Sequence, residues 1–368
     1  CIDAANLLAQ VAVDAGAPDG VIQIIKDPNI PLIEEFMKSP KTAVILATGG
    51  TPMVRSAYSS SNPAIGVGPG NAPVFVDSSA DIDKAANRIV ESKSFDNSVL
   101  CTNESVLITL PEVDKQLRQS LKKYGAYFCN DDDTSRLRRY LFHGAGFNIE
   151  TIGRDATWIA KECGIRVPEK TAILVAPIDQ IGIEEPLSRE KLCPVLAYHV
   201  AKNRDQAIMQ ARAVLRLTGA GHSAAVHTMD ETVTMAFARG LEVYRIVVNA
   251  PCSQGAAGFG TALAPTFTIG TGFFGRSSIG ENIGPEHLVH WTKLAYNEDT
   301  SEKFGDYFGV GNNFSGPLPS APEDGVPGAG HYHFAPPTVS MNADPLSSIT
   351  RTELRQMIAE ELRGALRG

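Results

Sequence analysis

Apolar positions along the chain fall into two alternating textures, stripes at helical spacing and short unbroken runs. Ile2, Ala5, Leu8, Ala9 and Ala12 share one helical face, and Gly16 follows as a stop. Val21–Ile25 predicts a short strand. Pro31–Lys38 predicts a helix that opens on a proline suited to a first turn. Thr42–Ala47 is a second apolar run, and Thr48-Gly49-Gly50-Thr51-Pro52 turns from it into another helical stripe. Pro73–Asp77 predicts a strand. Asp81 then caps a helix with Ile82, Ala85, Ala86, Ile89 and Val90 inward. A polar break, Ser94–Leu100, delivers Cys101 before the strand Val106–Leu110. The alternation continues through helix Glu112–Lys123, strand Thr171–Ala176, helix Arg204–Leu217, strand Ala224–His227, helix Glu231–Arg239 and strand Arg245–Asn249. Such βαβ runs imply an α/β fold with parallel sheets covered on both faces.

Downstream the texture changes. Residues 255–284 form glycine-rich loops, and His287–Tyr296 predicts one more strand. Residues 311–346 are rich in Gly, Pro, Ser and Asn with little periodicity, which is the composition of a linker. Helical spacing returns in Ser347–Gly368, where Leu354, Met357, Ile358 and Leu362 form an apolar stripe. A short helix with one stripe cannot bury it alone and must dock on something.

With 368 residues and 43% hydrophobic composition, the chain can bury the cores of two or three domains. The net charge of −8 and the lack of a dense basic block argue against nucleic-acid binding as the main role. No run is apolar for long enough to predict a bilayer span. Six scattered cysteines without a CxxC pair suit thiols in a reducing, cytoplasmic setting. The chain opens on Cys1 inside a helical pattern, so a natural N-terminal part is expected upstream. Gly270-Thr271-Gly272-Phe273-Phe274-Gly275 spells GxGxxG, but no helical stripe follows it, and it is read as a loop. His287 and His290 lack an HExxH frame, and His331 and His333 lie in the linker, so no metal site is expected.

Cys101 carries the sharpest chemical signal. A thiolate is both a good nucleophile and a good leaving group, which suits acyl transfer; the alternative is an inert buried thiol. Its setting, Ser94-Phe95-Asp96-Asn97 followed by Leu100-Cys101, resembles the nucleophile segment of the CoA-acylating aldehyde dehydrogenases. Gly66-Val67-Gly68-Pro69-Gly70-Asn71-Ala72-Pro73 and Leu263-Ala264-Pro265-Thr266-Phe267-Thr268-Ile269-Gly270 are similar to further segments of that family, in the expected order. The resemblance is nearest to the propionaldehyde and acetaldehyde dehydrogenases of bacterial microcompartments and runs from Cys1 to about Tyr296. It implies an aldehyde dehydrogenase-like fold. Residues 1–72 would be the remainder of a parallel-sheet nucleotide-binding domain, 73–256 an α/β catalytic domain, and 257–310 a return segment with an oligomerisation strand. The linker 311–346 and the amphipathic helix 347–368 would follow.

The same resemblance implies the chemistry. Cys101 would attack a short-chain aldehyde such as propionaldehyde, NAD would take the hydride, and coenzyme A would collect the acyl group from a cysteine thioester. The Cys101 amide would hold the oxyanion together with an Asn side chain that the family pattern places upstream of Cys1. Aligned on Ala72-Pro73, Val67 stands where hydrolytic relatives carry a Glu that activates water. Valine has no lone pair and cannot serve as a base, which favours transfer to a thiol over hydrolysis. Glu190, in Ser188-Arg189-Glu190-Lys191-Leu192-Cys193-Pro194-Val195, resembles the Glu that accepts from the nicotinamide ribose hydroxyls, with Cys193 in place of the usual Gly; read alone, it is a solvated loop carboxylate. Thr48, Gly49, Gly50 and Thr51 would receive the cofactor pyrophosphate at a helix N-terminus, and Gly68 and Pro69 would border the nicotinamide. His222 is a candidate to assist deprotonation of the CoA thiol, against a purely structural role. Phe95, Phe273 and Phe274 are candidates to shape the aldehyde pocket.

The expected partners follow. Helix 347–368 looks like an encapsulation peptide that docks on a microcompartment shell protein, which would place the enzyme in the microcompartment lumen. The strand after the catalytic unit implies a homo-oligomer, a dimer or tetramer. Two other readings stay open: a hydrolytic NAD-dependent aldehyde dehydrogenase, and an inactive fragment that serves as an assembly or cargo scaffold.

Overall fold

The unbroken apolar runs become strands buried on both faces, and the stripes become the helices that cover them. The computed structural model describes residues 1–144, 146–289, 291–293 and 295, all within one folding unit, Cys1–Tyr296. Its N-terminal part holds helices α1 (Ile2–Asp14), α2 (Ile30–Lys38) and α3 (Thr51–Tyr58) and two parallel strands, β1 (Ile45–Thr48) and β2 (Ala64–Val67). Helix α1 forms where its spacing predicts, with none of its residues buried. Val21–Ile25 forms no strand, and β2 takes up the pairing with β1 instead. A small cluster of Met37, Ile45, Ala47 and Ala57 packs α2 and α3 on this pair.

The main sheet follows. Strands β3 (Ala72–Val76) and β4 (Glu104–Thr109) flank helix α4 (Ile82–Ser94). Helix α5 (Pro111–Lys123), strand β5 (Ala126–Phe128) and helix α6 (Asp131–Leu141) lead to a short antiparallel pair, β6 (Phe142–His143) and β7 (Gly146–Phe147). Then come helix α7 (Ala156–Glu162), strands β8 (Ile173–Pro177) and β9 (Val195–Val200), helix α8 (Arg204–Leu217), strand β10 (Gly221–His227), helix α9 (Glu231–Gly240), strand β11 (Val243–Val248) and helix α10 (Cys252–Ala256). Seven strands form one parallel sheet in the order β11-β10-β3-β4-β9-β8-β5. Every residue of β3, β4 and β10 is buried, as expected of a sheet with helices on both faces. The core runs along this sheet under α4, α5 and α8, and the predicted inward face of α4 (Ile82, Ala85, Ala86, Ile89 and Val90) is buried there.

The glycine-rich texture of 255–284 holds as loops, clipped by one isolated bridge between Ile269 and Asn282. The strand predicted over 287–296 does not form among the described residues of that stretch. Pro285–His287 is a 3-10 turn, and residues 291–293 pair with no strand. The linker 311–346 and the helix 347–368 lie outside the described residues.

Candidate functional site

Four neighbouring parallel strands bring their N-terminal ends to one place. Gly70 precedes β3, Cys101 precedes β4, Glu190 precedes β9 and His222 opens β10. The segment Gly68–Asn71 carries the chain from β2 of the small sheet into β3 of the large one. A ligand seated between the two sheets therefore meets this segment.

Cys101 is presented by a strained turn. Helix α4 ends at Ser94, and the 3-10 turn Phe95–Ser98 follows, with Asp96, Asn97 and Ser98 at φ of 51°, 46° and 63°. Three consecutive non-glycine residues in the left-handed region persist only where surrounding contacts hold them. One such contact is the Asn97 side-chain amide, which donates to the Gly153 carbonyl at 2.9 Å. Cys101 is half-buried. Its carbonyl lies so close to Gly70 that a Cβ there would overlap it, and the same Cβ would stand 3.2 Å from Glu190 Oε1. Glycine is thus required at position 70 for close approach. The Gly70 amide donates to Glu190 Oε1 at 2.9 Å, so Glu190 is a half-buried, hydrogen-bonded carboxylate and not a solvated one.

His222 is fully buried, and its Nε2 stands 3.0 Å from Cys101 Sγ. Its Nδ1 stands 3.0 Å from Ser223 Oγ. Burial and the nearby Arg245 guanidinium pull the imidazole down to about 3, so it is neutral at pH 7. Burial, followed by the Glu190 charge, pushes the Cys101 thiol up to about 12, while its own backbone amide and Arg245 act in the opposite direction. Burial likewise raises Glu190 to about 7, against the Gly70 amide, Lys93 and Lys191. Behind this layer Lys93, Glu104 and Lys191 are fully buried, and Glu104 accepts from the Cys252 amide at 3.0 Å.

Two clefts are lined by segments that carry this cluster, the Cys101 loop in one and Gly68 and Pro69 in the other. One, of about 680 Å³, is lined by Phe95, Leu100, Arg88, Gln254, Phe259 and Phe267 and touches the Cys101 loop through Phe95 and Leu100. The other, of about 400 Å³, is lined by Thr51, Gly68, Pro69, Gly219, Thr271 and Phe274, with Arg55, Arg216 and Arg276 on its walls. Thr48, Gly49, Gly50 and Thr51 make the predicted strand-to-helix turn. The Gly49 amide donates to the Val67 carbonyl at 3.2 Å, and Gly50 caps α3. The second cleft suits an anionic dinucleotide, since it joins a helix start, two residues without polar side chains and three guanidinium groups. Val67, 1% exposed at the end of β2, adds no lone pair to the site.

The structure thus gathers Cys101, His222 and Glu190 into one cluster and sets Thr51, Gly68 and Pro69 along the adjoining cleft. The three candidate pocket phenylalanines do not line one cleft, although the Phe273 and Phe274 rings meet edge-on at 5.8 Å. Phe95 faces the larger cleft and Phe274 the smaller, while Phe273 is 82% exposed and lines neither. Sequence reasoning missed Gly70, Ser223 and Arg245. An arginine inside the apolar run Val243–Val248 was a readable signal. Among the described residues no group of three or more His, Cys, Asp or Glu could hold a metal ion, and no helix is long and apolar enough to cross a membrane.

Residues 4–134 match the family model described as "Aldehyde dehydrogenase family". An aldehyde-alcohol dehydrogenase of Streptococcus pneumoniae serotype 4 is 39% identical over 301 residues, covering 79% of this chain and 34% of the relative. The chain therefore spans about a third of the length of that curated relative. The structure of an acetylating aldehyde dehydrogenase from Geobacillus thermoglucosidasius is similar with a TM-score of 0.76 and 35% identity, over 80% of this chain and 67% of that one. A propionaldehyde dehydrogenase from the fucose utilisation bacterial microcompartment of Clostridium phytofermentans gives 0.69 and 29%, over 74% and 62%. The propionaldehyde dehydrogenase of Rhodopseudomonas palustris, solved with bound CoA and an acylated cysteine, gives 0.67 and 30%, over 74% and 62%.

Proposed function

The chain belongs to the aldehyde dehydrogenase family, and from that premise we propose that it oxidises a short-chain aldehyde such as propionaldehyde to the acyl-CoA with NAD. The observation that carries this reading is the pair Cys101–His222, with Nε2 3.0 Å from Sγ where four strand ends meet. Cys101 gives up its proton to solvent and adds as thiolate to the aldehyde carbon, and its backbone amide would hold the oxygen that gains the charge. NAD, when bound, supplies the hydride acceptor. Thr48, Gly49, Gly50 and Thr51 would receive its pyrophosphate, Gly68 and Pro69 would border its reactive ring, and Glu190 would accept from the ribose. Loss of hydride leaves an acyl group on Cys101 sulfur. The CoA thiol gives up its proton to solvent and attacks that thioester carbonyl, and Cys101 leaves as thiolate. His222, neutral and buried, is a hydrogen-bond partner to the sulfur and to the incoming thiol. With Val67 where a base would ready water, the thioester waits for a thiol.

Propanal with NAD should yield NADH and propionyl-CoA only when CoA is present, and Cys101→Ser should yield neither. Free propionate as the main product would establish the hydrolytic alternative. Absence of NAD binding by calorimetry would establish the scaffold. The apolar stripe of 347–368 after its linker supports docking on a microcompartment shell protein and residence in the lumen. The catalytic unit is proposed to work as a homo-oligomer.

A further inference from the structure

Arg245 lies in β11, a strand whose other residues are Val243, Tyr244, Ile246, Val247 and Val248. It is 3% exposed. Its fork meets only neutral acceptors. Nη1 donates to the His222 carbonyl at 2.8 Å, Nε donates to Asn282 Oδ1 at 2.7 Å, and Nη2 donates to the Gly280 carbonyl at 2.7 Å and also to the Gly270 carbonyl. Among the described residues no carboxylate stands within ion-pair distance of it, and the charged-state partner it feels is the Cys101 sulfur. A guanidinium taken out of water with no counter-ion is costly. An apolar side chain would fill an interior strand position without that cost, so the charge at this place calls for a reason.

The acceptors supply one. His222 is the residue against Cys101 Sγ, Gly270 ends the segment Leu263–Gly270, and Gly280 lies in the loop beyond the turn that follows it. We infer that Arg245 is a positioning residue for Cys101, clipping His222 and both loop segments together behind the sulfur and supplying the fixed positive charge against which the thiolate forms. The inference rests on Cys101 being the nucleophile. The charged and titratable groups around that sulfur are His222 on β10, Arg245 on β11 and Glu190 on the loop before β9, with Lys93 of α4 behind Glu190. Glu190 opposes ionisation of the thiol and Arg245 favours it. Arg245 also disfavours protonation of His222, which keeps the imidazole from becoming a competing cation.

The test is alkylation of Cys101 by iodoacetamide between pH 7 and 9, followed by mass spectrometry of its peptide. Arg245→Met should label about tenfold more slowly at each pH, the effect of one unit in thiol pKa, and Arg245→Lys should regain most of the rate. A residue that merely braced the loops would give the opposite sign, because loosening them exposes the sulfur and speeds labelling. An unchanged or faster rate in Arg245→Met overturns the inference. If that variant does not fold, Asn282→Asp sets a carboxylate on the seated guanidinium and should slow labelling in the same sense; an unchanged rate there overturns the inference equally. Failure of both variants to fold makes Arg245 a stability residue and also overturns it. Labelling needs neither NAD nor CoA. Wild-type turnover with propanal, NAD and CoA, measured alongside, reports separately on the proposed function.

Discussion

Gly70 shows how much a single position can decide. It has no side chain, yet it touches both the Cys101 carbonyl and, through its amide, the Glu190 carboxylate. Gly70→Ala must push the Cys101 loop away, because the overlapping atoms are backbone and cannot rotate aside. A displacement of about 1 Å at a reacting group costs on the order of a hundredfold in rate. The expected outcome is that loss in kcat/KM together with a lower unfolding temperature, read by steady-state kinetics and calorimetry on the same preparation. The glycine was visible in the sequence as part of Gly66–Pro73. Its reason was not, because the atoms it must clear belong to residues 101 and 190.

At the scale of elements, periodicity located most helices and strands of the large sheet to within a few residues. Helix Arg204–Leu217 has the predicted ends, and α4 buries the predicted face. Val21–Ile25 failed because an apolar run needs a neighbouring strand to pair with, and β2 occupies that place beside β1. The 3-10 turn before Cys101 was legible only as a polar break; its left-handed residues are held by contacts such as Asn97 to Gly153, remote in sequence. Helix 347–368 is an element prediction of its own kind. Deleting Ser347–Gly368 is expected to leave aldehyde turnover intact and to abolish co-purification with shell protein, and retained shell association would remove the encapsulation reading.

For the whole molecule, buried ionisable groups set the response to acid. Burial raises Glu104 and Glu190 to about 7 from an ordinary 4.5, so the folded state takes up their protons first and gains stability as pH falls from 7 to 4.5. Burial lowers His222 and His227 to about 3 from 6.5, with Arg245 and Arg88 adding to it. The unfolded state therefore takes up those protons first, and stability is lost from 6.5 downward. Two groups act in each direction between pH 6.5 and 4.5, which predicts a nearly level unfolding temperature there. Below 4.5 the carboxyls are spent while the histidines are not, and stability should fall steeply. His227 lies away from Cys101, at the far end of β10, with no partner on either ring nitrogen. His227→Leu should convert the level stretch into a rise toward pH 5 and soften the fall below 4.5. Scanning calorimetry across pH 3 to 7 checks both slopes.

The sequence by itself determined most of the helices and, of the seven strands in the large sheet, all but β5 and β9, together with the chemical identity of the thiol and its flanking residues. Those are properties of local windows, where spacing and side-chain type act without reference to the rest of the chain. Tertiary structure alone decided that His222 stands against Cys101 across 121 positions, that Glu190 turns inward to the Gly70 amide, and that Arg245 is buried among carbonyls. Parallel pairing places β10, β3, β4 and β9 side by side in an order unlike their order in the chain. The site is made where their starting ends meet, and no local pattern encodes which strand becomes the neighbour of which.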